Sequence, residues 1–205
     1  MESDAITVVV VEDQELVRDA ITRLLNLEPD LHVVAAAQDG TDGIRAVRAH
    51  HPAVALLDIE LPAMSGLQVA EVLRRAAPTT VVAMLTTFAR PGYLERALAA
   101  GALGFLLKEQ PVAELATSIR RLARGERVID QELAQLTLAS GGNPLSQREQ
   151  EVLRRAARGE SADAIGRAMY LSAGTVRNYL SSAMQKLEAP SRAAAVHTAT
   201  QQGWI

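Results

Sequence analysis

The sequence predicts two domains, an α/β doubly wound domain of five βα units followed by an all-α domain of four helices. Three observations carry this reading. Over residues 1–125, short unbroken apolar runs alternate five times with amphipathic helical stretches. Ser140-Gly141-Gly142-Asn143-Pro144 then interrupts any regular structure. Beyond it, residues 145–205 carry helix caps and helical periodicity but no strand pattern. The predicted boundaries are 1–125 for the first domain, 126–143 for a linker and 144–205 for the second domain.

The runs Ile6–Val11, His32–Ala36, Ala53–Leu57, Thr80–Leu85 and Ala102–Leu106 read as strands buried on both faces, because their apolar character is unbroken. Helices are predicted over Leu16–Leu27, Thr41–His50, Gly66–Ala76, Gly92–Ala100 and Val112–Arg124. In the last of these, Val112, Leu115, Ala116, Ile119 and Leu122 share one helical face. Strict alternation of strand and helix requires parallel strands with helices on both faces of the sheet. The linker holds one short helical stretch, Glu132–Leu138. In the second domain Ser146 and Glu149 form a capping box that opens a helix ending near Gly159. A second helix covers Ala162–Met169, and Ser172 caps a third that runs to about Leu187. Pro190-Ser191 opens a fourth, which ends near Gly203.

Composition narrows the function classes. Hydrophobic residues make up 48%, enough for two real cores, so disorder is not expected. The absence of Cys excludes disulfides, Cys nucleophiles, Cys-ligated zinc and iron–sulfur clusters. The N-terminus has no basic leader, and its apolar run stops at Glu12. Neither a signal peptide nor membrane insertion is expected, and the expected location is cytoplasmic. The net charge of -3 is unevenly spread: residues 1–125 hold 12 basic and 16 acidic residues, residues 144–205 hold 8 and 5. A basic third on an acidic chain is compatible with nucleic acid as a partner. Of the 21 basic residues only Lys108 and Lys186 are lysine.

Glu12 and Asp13 follow the first predicted strand, Asp58 follows the third, Thr86 ends the fourth and Lys108 follows the fifth. Chain polarity puts all five at the carboxyl ends of the strands, where doubly wound sheets bind ligands. Acids after strands are individually ordinary loop residues. Together, three carboxylates with one ammonium and one hydroxyl suit a hard cation such as Mg²⁺ and an incoming anion. That set fits phosphoryl transfer to Asp58.

In the third helix of the second domain, Val176, Leu180, Ala183, Met184 and Leu187 make a buried stripe. The opposite face carries Arg177, Asn178, Ser181, Ser182 and Gln185. With the preceding short helix and turn this reads as a helix-turn-helix, whose polar face could read base edges. A solvated face on a small helical bundle has the same pattern.

The strings VVVEDQ, LLDIELPAMSG, MLTTF and GFLLKE resemble the CheY-like receiver domain of two-component response regulators over about residues 5–125. LSQREQEVLRRAARGES, LSAGTVRNYLSSAMQKL and PSRAAAV resemble the LuxR-type DNA-binding domain of the NarL/FixJ family over about residues 144–203. The resemblance implies a DNA-binding transcriptional regulator phosphorylated on Asp58 by a partner histidine kinase. It implies Mg²⁺ held by Glu12, Asp13, Asp58 and the backbone carbonyl of Glu60, with Thr86, Phe105 and Lys108 as switch and phosphoryl-binding residues. Pro62 and Gly66 match the turn residues after the phosphoacceptor. Arg177, Asn178 and Ser181 would face bases of double-stranded promoter DNA, and Thr175 and Lys186 would touch phosphates. A homodimer on phosphorylation is implied, through the first and fifth receiver helices.

LTTFARPGYLERALAAG, NPLSQRE, GTVRNYLSS and the terminal Gly-Trp narrow the resemblance to the DesR subgroup, which controls membrane-lipid desaturation. There are departures. Thr87 stands where a very small residue is usual, Phe88 is bulky, Glu109 replaces the common Pro after Lys108, and Ala162-Asp163 replaces a polar-basic pair. Thr87 and Phe88 are expected to obstruct water at the acyl phosphate and slow its loss. A metal-dependent phosphatase on a similar sheet would place a second Asp where Glu60 stands. A degenerate receiver would lack one of the five pocket residues.

Overall fold

The computed structural model describes residues 5–87, 90–131, 133–135 and 142–205. Phe88, Glu132 and residues 136–141 therefore lie outside the described residues, including most of the short helix read over Glu132–Leu138. The chain divides into two compact units, the first Met1–Ala89 with Leu94–Ala134 and the second Gln135–Ile205 with the short segment Arg90–Tyr93.

The first unit alternates β1 (Ile6–Val11), α1 (Glu15–Leu25), β2 (Leu31–Ala37), α2 (Gly40–His50), β3 (Val54–Asp58), α3 (Gly66–Ala76), β4 (Val81–Thr86), α4 (Pro91–Ala99), β5 (Gly104–Leu107), α5 (Val112–Ala123) and β6 (Val128–Ile129). All strands are parallel, in the order β2-β1-β3-β4-β5-β6. The order reverses between β1 and β3. Crossovers leave the two strands in opposite directions there, which opens a crevice at their carboxyl ends.

Side chains alternate between the faces of the sheet. Val8, Val10, Val54, Leu56, Ala83, Leu85 and Leu106 pack with Leu25 of α1 and with Leu115, Ile119 and Leu122 of α5. Val9, Val11, Ala55 and Leu57 point to the other face and are at most 1% exposed. Burial on both faces explains the unbroken apolar runs of β1 and β3. β2 differs from expectation. It is an edge strand in which His32 and Ala36 are exposed, so small alanines serve where bulk is not needed. β3 begins one residue later than read, because the Ala53 N–H donates to the Thr7 hydroxyl at 3.0 Å.

The segment read as linker is not wholly free of the first unit. Val128 and Ile129 pair with Gly104 and Phe105 as a sixth strand, the Asp130 N–H donates to the Phe105 carbonyl at 3.0 Å, and Leu133 is buried. Two β-branched residues beside an open sheet edge are enough to extend it.

The second unit consists of α6 (Gln147–Ala157), α7 (Ala162–Met169), α8 (Ala173–Lys186) and α9 (Arg192–Gln201). Each begins on a serine whose side chain accepts from a backbone N–H three residues on: Ser146, Ser161, Ser172 and Ser191. Ser146 and Glu149 form the expected reciprocal box. Val152, Leu153, Ile165, Met169, Val176, Leu180 and Trp204 form the core, and Ala195 and Ala199 of α9 are fully buried in it.

Candidate functional site

Glu12 follows β1 and is 1% exposed; Asp58 ends β3 and is 4% exposed. Asp13 is exposed beside them. One carboxylate oxygen from each of these three residues lies within 4.8 Å of the others. Lys108, just past β5, reaches in from the next strand but one. Its Nζ lies 2.6 Å from Glu12 Oε2 and 3.1 Å from Asp58 Oδ2. Burial pushes the Glu12 carboxyl above its ordinary range and the Asp58 charge adds to this, while the Lys108 hydrogen bond opposes both. Burial works against the Lys108 ammonium, yet bonds and charges from Glu12 and Asp58 hold it above its ordinary value. One ammonium cannot offset three crowded carboxylates, so the all-oxygen set suits a hard divalent cation.

Thr86 ends β4 and is buried, its carbonyl accepting from the Lys108 N–H at 2.9 Å. Phe105 on β5 is 1% exposed. Thr87 is exposed, and Glu60, two residues past Asp58, is exposed and outside the carboxylate cluster. Gly66 holds the β3–α3 loop against Asp58. A Cβ there would lie 2.0 Å from the Asp58 carbonyl oxygen, and its N–H donates to the Ile59 carbonyl at 3.1 Å. A side chain at 66 would push the loop away from Asp58.

In the second unit α7, its turn and α8 form the helix-turn-helix. Gly166 permits the tight turn: a Cβ there would meet the Leu171 carbonyl oxygen at 2.7 Å. On α8, Val176, Leu180 and Ala183 are buried, and Met184 and Leu187 pack partly against the core. Arg177, Asn178, Ser181 and Gln185 are exposed on the other face, and Thr175 is half-buried near the helix start.

Two further polar side chains of α8 bond to a buried carboxylate of α6. Ser182 Oγ donates to Glu149 Oε1 at 2.6 Å, and Lys186 Nζ donates to Glu149 Oε2 at 2.7 Å. Glu149 of α6 is only 3% exposed and also accepts from the Ser146 N–H. Its burial opposes the charge, but the bonds from Lys186, Ser182 and Ser146 prevail and hold its carboxyl down at about 2. Sequence reasoning reads Glu149 only as a cap. The signal that could have exposed its second role is Lys186, one of two lysines in the chain.

Residues 8–120 match the response regulator receiver domain, and residues 143–199 match the bacterial regulatory proteins of the luxR family. The chain is 45% identical to the uncharacterized transcriptional regulatory protein YvfU of Bacillus subtilis over 96% of its own length and 98% of that protein. It is 41% identical to the transcriptional regulatory protein DesR of the same organism, over 98% of its length and 99% of that protein. Among solved structures, the response regulator ChrA of a heme-sensing two-component system aligns over 98% of this chain and all of its own, at 29% identity and TM-score 0.60. A carboxylate cluster at the crevice of a parallel sheet in one unit and a helix-turn-helix in the other accord with these matches, and the chain belongs to the response regulators as a DNA-binding transcriptional regulator of a two-component system.

Proposed function

We propose that Asp58 is the phosphoacceptor and that its phosphorylation by a partner histidine kinase drives dimerisation and promoter binding. The observation that carries this reading is the convergence of Glu12, Asp13 and Asp58 within 4.8 Å, with the Lys108 ammonium 3.1 Å from Asp58. An Asp58 carboxylate oxygen attacks the phosphorus of the donor, forming the acyl phosphate as the bond to the donor's nitrogen or oxygen breaks. Lys108 pairs with an oxygen of the transferred group. Mg²⁺, held by Glu12, Asp13, Asp58 and the backbone carbonyl of Glu60, would offset the added negative charge. Thr86 donates its hydroxyl to the phosphoryl group, and Phe105 turns into the space it leaves. The receiver is a phosphoacceptor with no substrate turnover of its own.

Dimerisation is assigned to α1 and α5. An apolar groove of about 340 Å³ runs along them, lined by Leu16, Leu24, Val112 and Leu115, with Lys108 at its edge. Leu16 is 84% exposed, and Leu27 just beyond α1 is 78% exposed. Burying them against a second copy recovers hydrophobic free energy that the monomer forgoes. Arg177, Asn178 and Ser181 read bases, and Thr175 and Lys186 contact phosphates. Similarity to DesR supports control of membrane-lipid desaturation genes, and a cytoplasmic location follows from the proposed partners. Among the described residues no helix is long and apolar enough to cross a membrane.

The test is treatment with a small phosphoramidate donor and Mg²⁺, followed by intact mass and sizing. A phosphate adduct with a shift to dimer is expected, and Asp58→Asn should lose both. An undiminished adduct on Asp58→Asn would remove Asp58 from the reaction.

A further inference from the structure

Tyr170 is the residue of the second unit that the fold explains least. It is 97% exposed, more than any other large apolar side chain among the described residues. It closes α7 in the left-handed conformation, with φ 56° and ψ 42°. Residues with a Cβ occupy that region at a cost, and glycine or asparagine would relieve it. The phenol has no hydrogen-bond partner among the described residues, and the ring covers no core. Exposure and backbone cost are both borne with no return inside the domain.

The position shows where the return lies. Tyr170 precedes Ser172, the N-cap of α8, by two residues, and its own N–H is tied back to the Gly166 carbonyl. Tight packing at Gly166 fixes the turn, so the ring is carried on a rigid mount. In a helix-turn-helix the N-terminal end of the second helix enters the major groove, which brings the turn before it to the flanking sugar-phosphate strand. Arg167, three residues earlier, is exposed as well. A tyrosine hydroxyl is a standard donor to phosphate oxygen.

We propose that Tyr170 is a DNA-backbone contact: its hydroxyl donates to a phosphate beside the major groove and sets how deep α8 sits. This rests on the reading of α8 as the base-reading helix. A neutral phenol neutralises no phosphate charge and displaces no counterion. It contributes affinity without sequence preference and without steepening the salt dependence.

The test uses the full-length chain and mixed-sequence duplex DNA of about three helical turns, titrated by fluorescence anisotropy over a salt series. Tyr170→Phe removes only the hydroxyl; Tyr170→Gly suits the left-handed backbone and removes the ring. Both are expected to weaken binding about tenfold, with an unchanged slope of log affinity against log salt. The melting temperature should not fall in Tyr170→Gly. Wild-type affinity in both variants overturns the proposal. So does weakening confined to Tyr170→Gly, which would assign the contact to the ring. Unchanged DNA binding with lost transcription would assign Tyr170 to a protein partner and also overturns it. Arg177→Ala, titrated on an operator selected in vitro, separates the two readings: if it weakens binding there while the Tyr170 variants do not, only the Tyr170 contact fails. If it too has no effect, the assignment of α8 fails with it.

Discussion

The Lys186 ammonium lies 2.7 Å from the Glu149 carboxylate, joining the C-terminal end of α8 to α6 through a buried charge. Glu149 is held at about 2, below its ordinary 4.5. A depressed carboxyl stabilises the fold fully above about pH 4.5, and that stability is lost as pH falls toward 2. The depression corresponds to about 3 kcal/mol. Urea melts of the C-terminal unit over this range should show the loss, and Glu149→Gln should flatten it. A pH profile identical in Glu149→Gln and the parent chain would remove Glu149 as its source.

Asp13 is the exposed member of the carboxylate trio, so Asp13→Asn should leave the fold intact while weakening the cation site. Mg²⁺ at one hundred times its dissociation constant should stabilise the parent receiver by about 2.7 kcal/mol. At the same concentration the variant should gain far less. Thermal melts with and without Mg²⁺ make the comparison, and equal gains would place the ion elsewhere.

Arg177 is exposed on α8 with no ion-pair partner among the described residues. Arg177→Ala should cost about 1–3 kcal/mol on the best operator and much less on scrambled DNA, because a base contact carries discrimination. Lys186→Ala should act differently. It frees Glu149 of one donor, so the C-terminal unit should lose stability as well as DNA affinity. Operators selected in vitro, with binding and melting measured on each variant, would tell the two residues apart.

Gly166→Ala forces a Cβ to 2.7 Å from the Leu171 carbonyl oxygen. The turn before α8 must open, and DNA affinity should fall along with a stability loss of about 1–3 kcal/mol. Gly174→Ala is the control, since its nearest neighbour is the Ser172 hydroxyl at 3.6 Å. Comparable affinities for the two variants would show that the turn tolerates the displacement.

Thr87 is exposed directly after Thr86, the last residue of β4. Thr87→Ala should shorten the lifetime of the acyl phosphate, and each tenfold corresponds to about 1.4 kcal/mol of barrier. Phosphate loss from the purified chain with Mg²⁺, in the absence of kinase, reads it directly. A lifetime equal to or longer than that of the parent would reject steric obstruction at this position.

The two lysines show how far the sequence could be read. Lysine is rare here, which marks Lys108 and Lys186 as positions where a compact ammonium is needed, and each pairs with a buried glutamate. The partner of Lys108 was legible because strand ends converge by topology. The partner of Lys186 was not, because helix packing in a four-helix domain is set by side-chain fit and leaves no periodic mark. Strands buried on both faces, such as β1 and β3, declare themselves through unbroken apolar runs. β6 does not: two residues carry no period, and their pairing depends on an edge that exists only once β5 is in place.

The strand order has a kinetic consequence. Nowhere in the sheet do neighbouring strands meet through a hairpin; Val8 pairs with Val54 across an intervening strand and two helices. Every pairing must await closure of a long loop, and no local contact offsets that entropy beforehand. The helical unit, built from α7–α8 and similar sequence-local contacts, faces no such delay. On dilution from denaturant the C-terminal unit should regain its structure first. The receiver's return should govern when a newly made chain first becomes able to accept a signal.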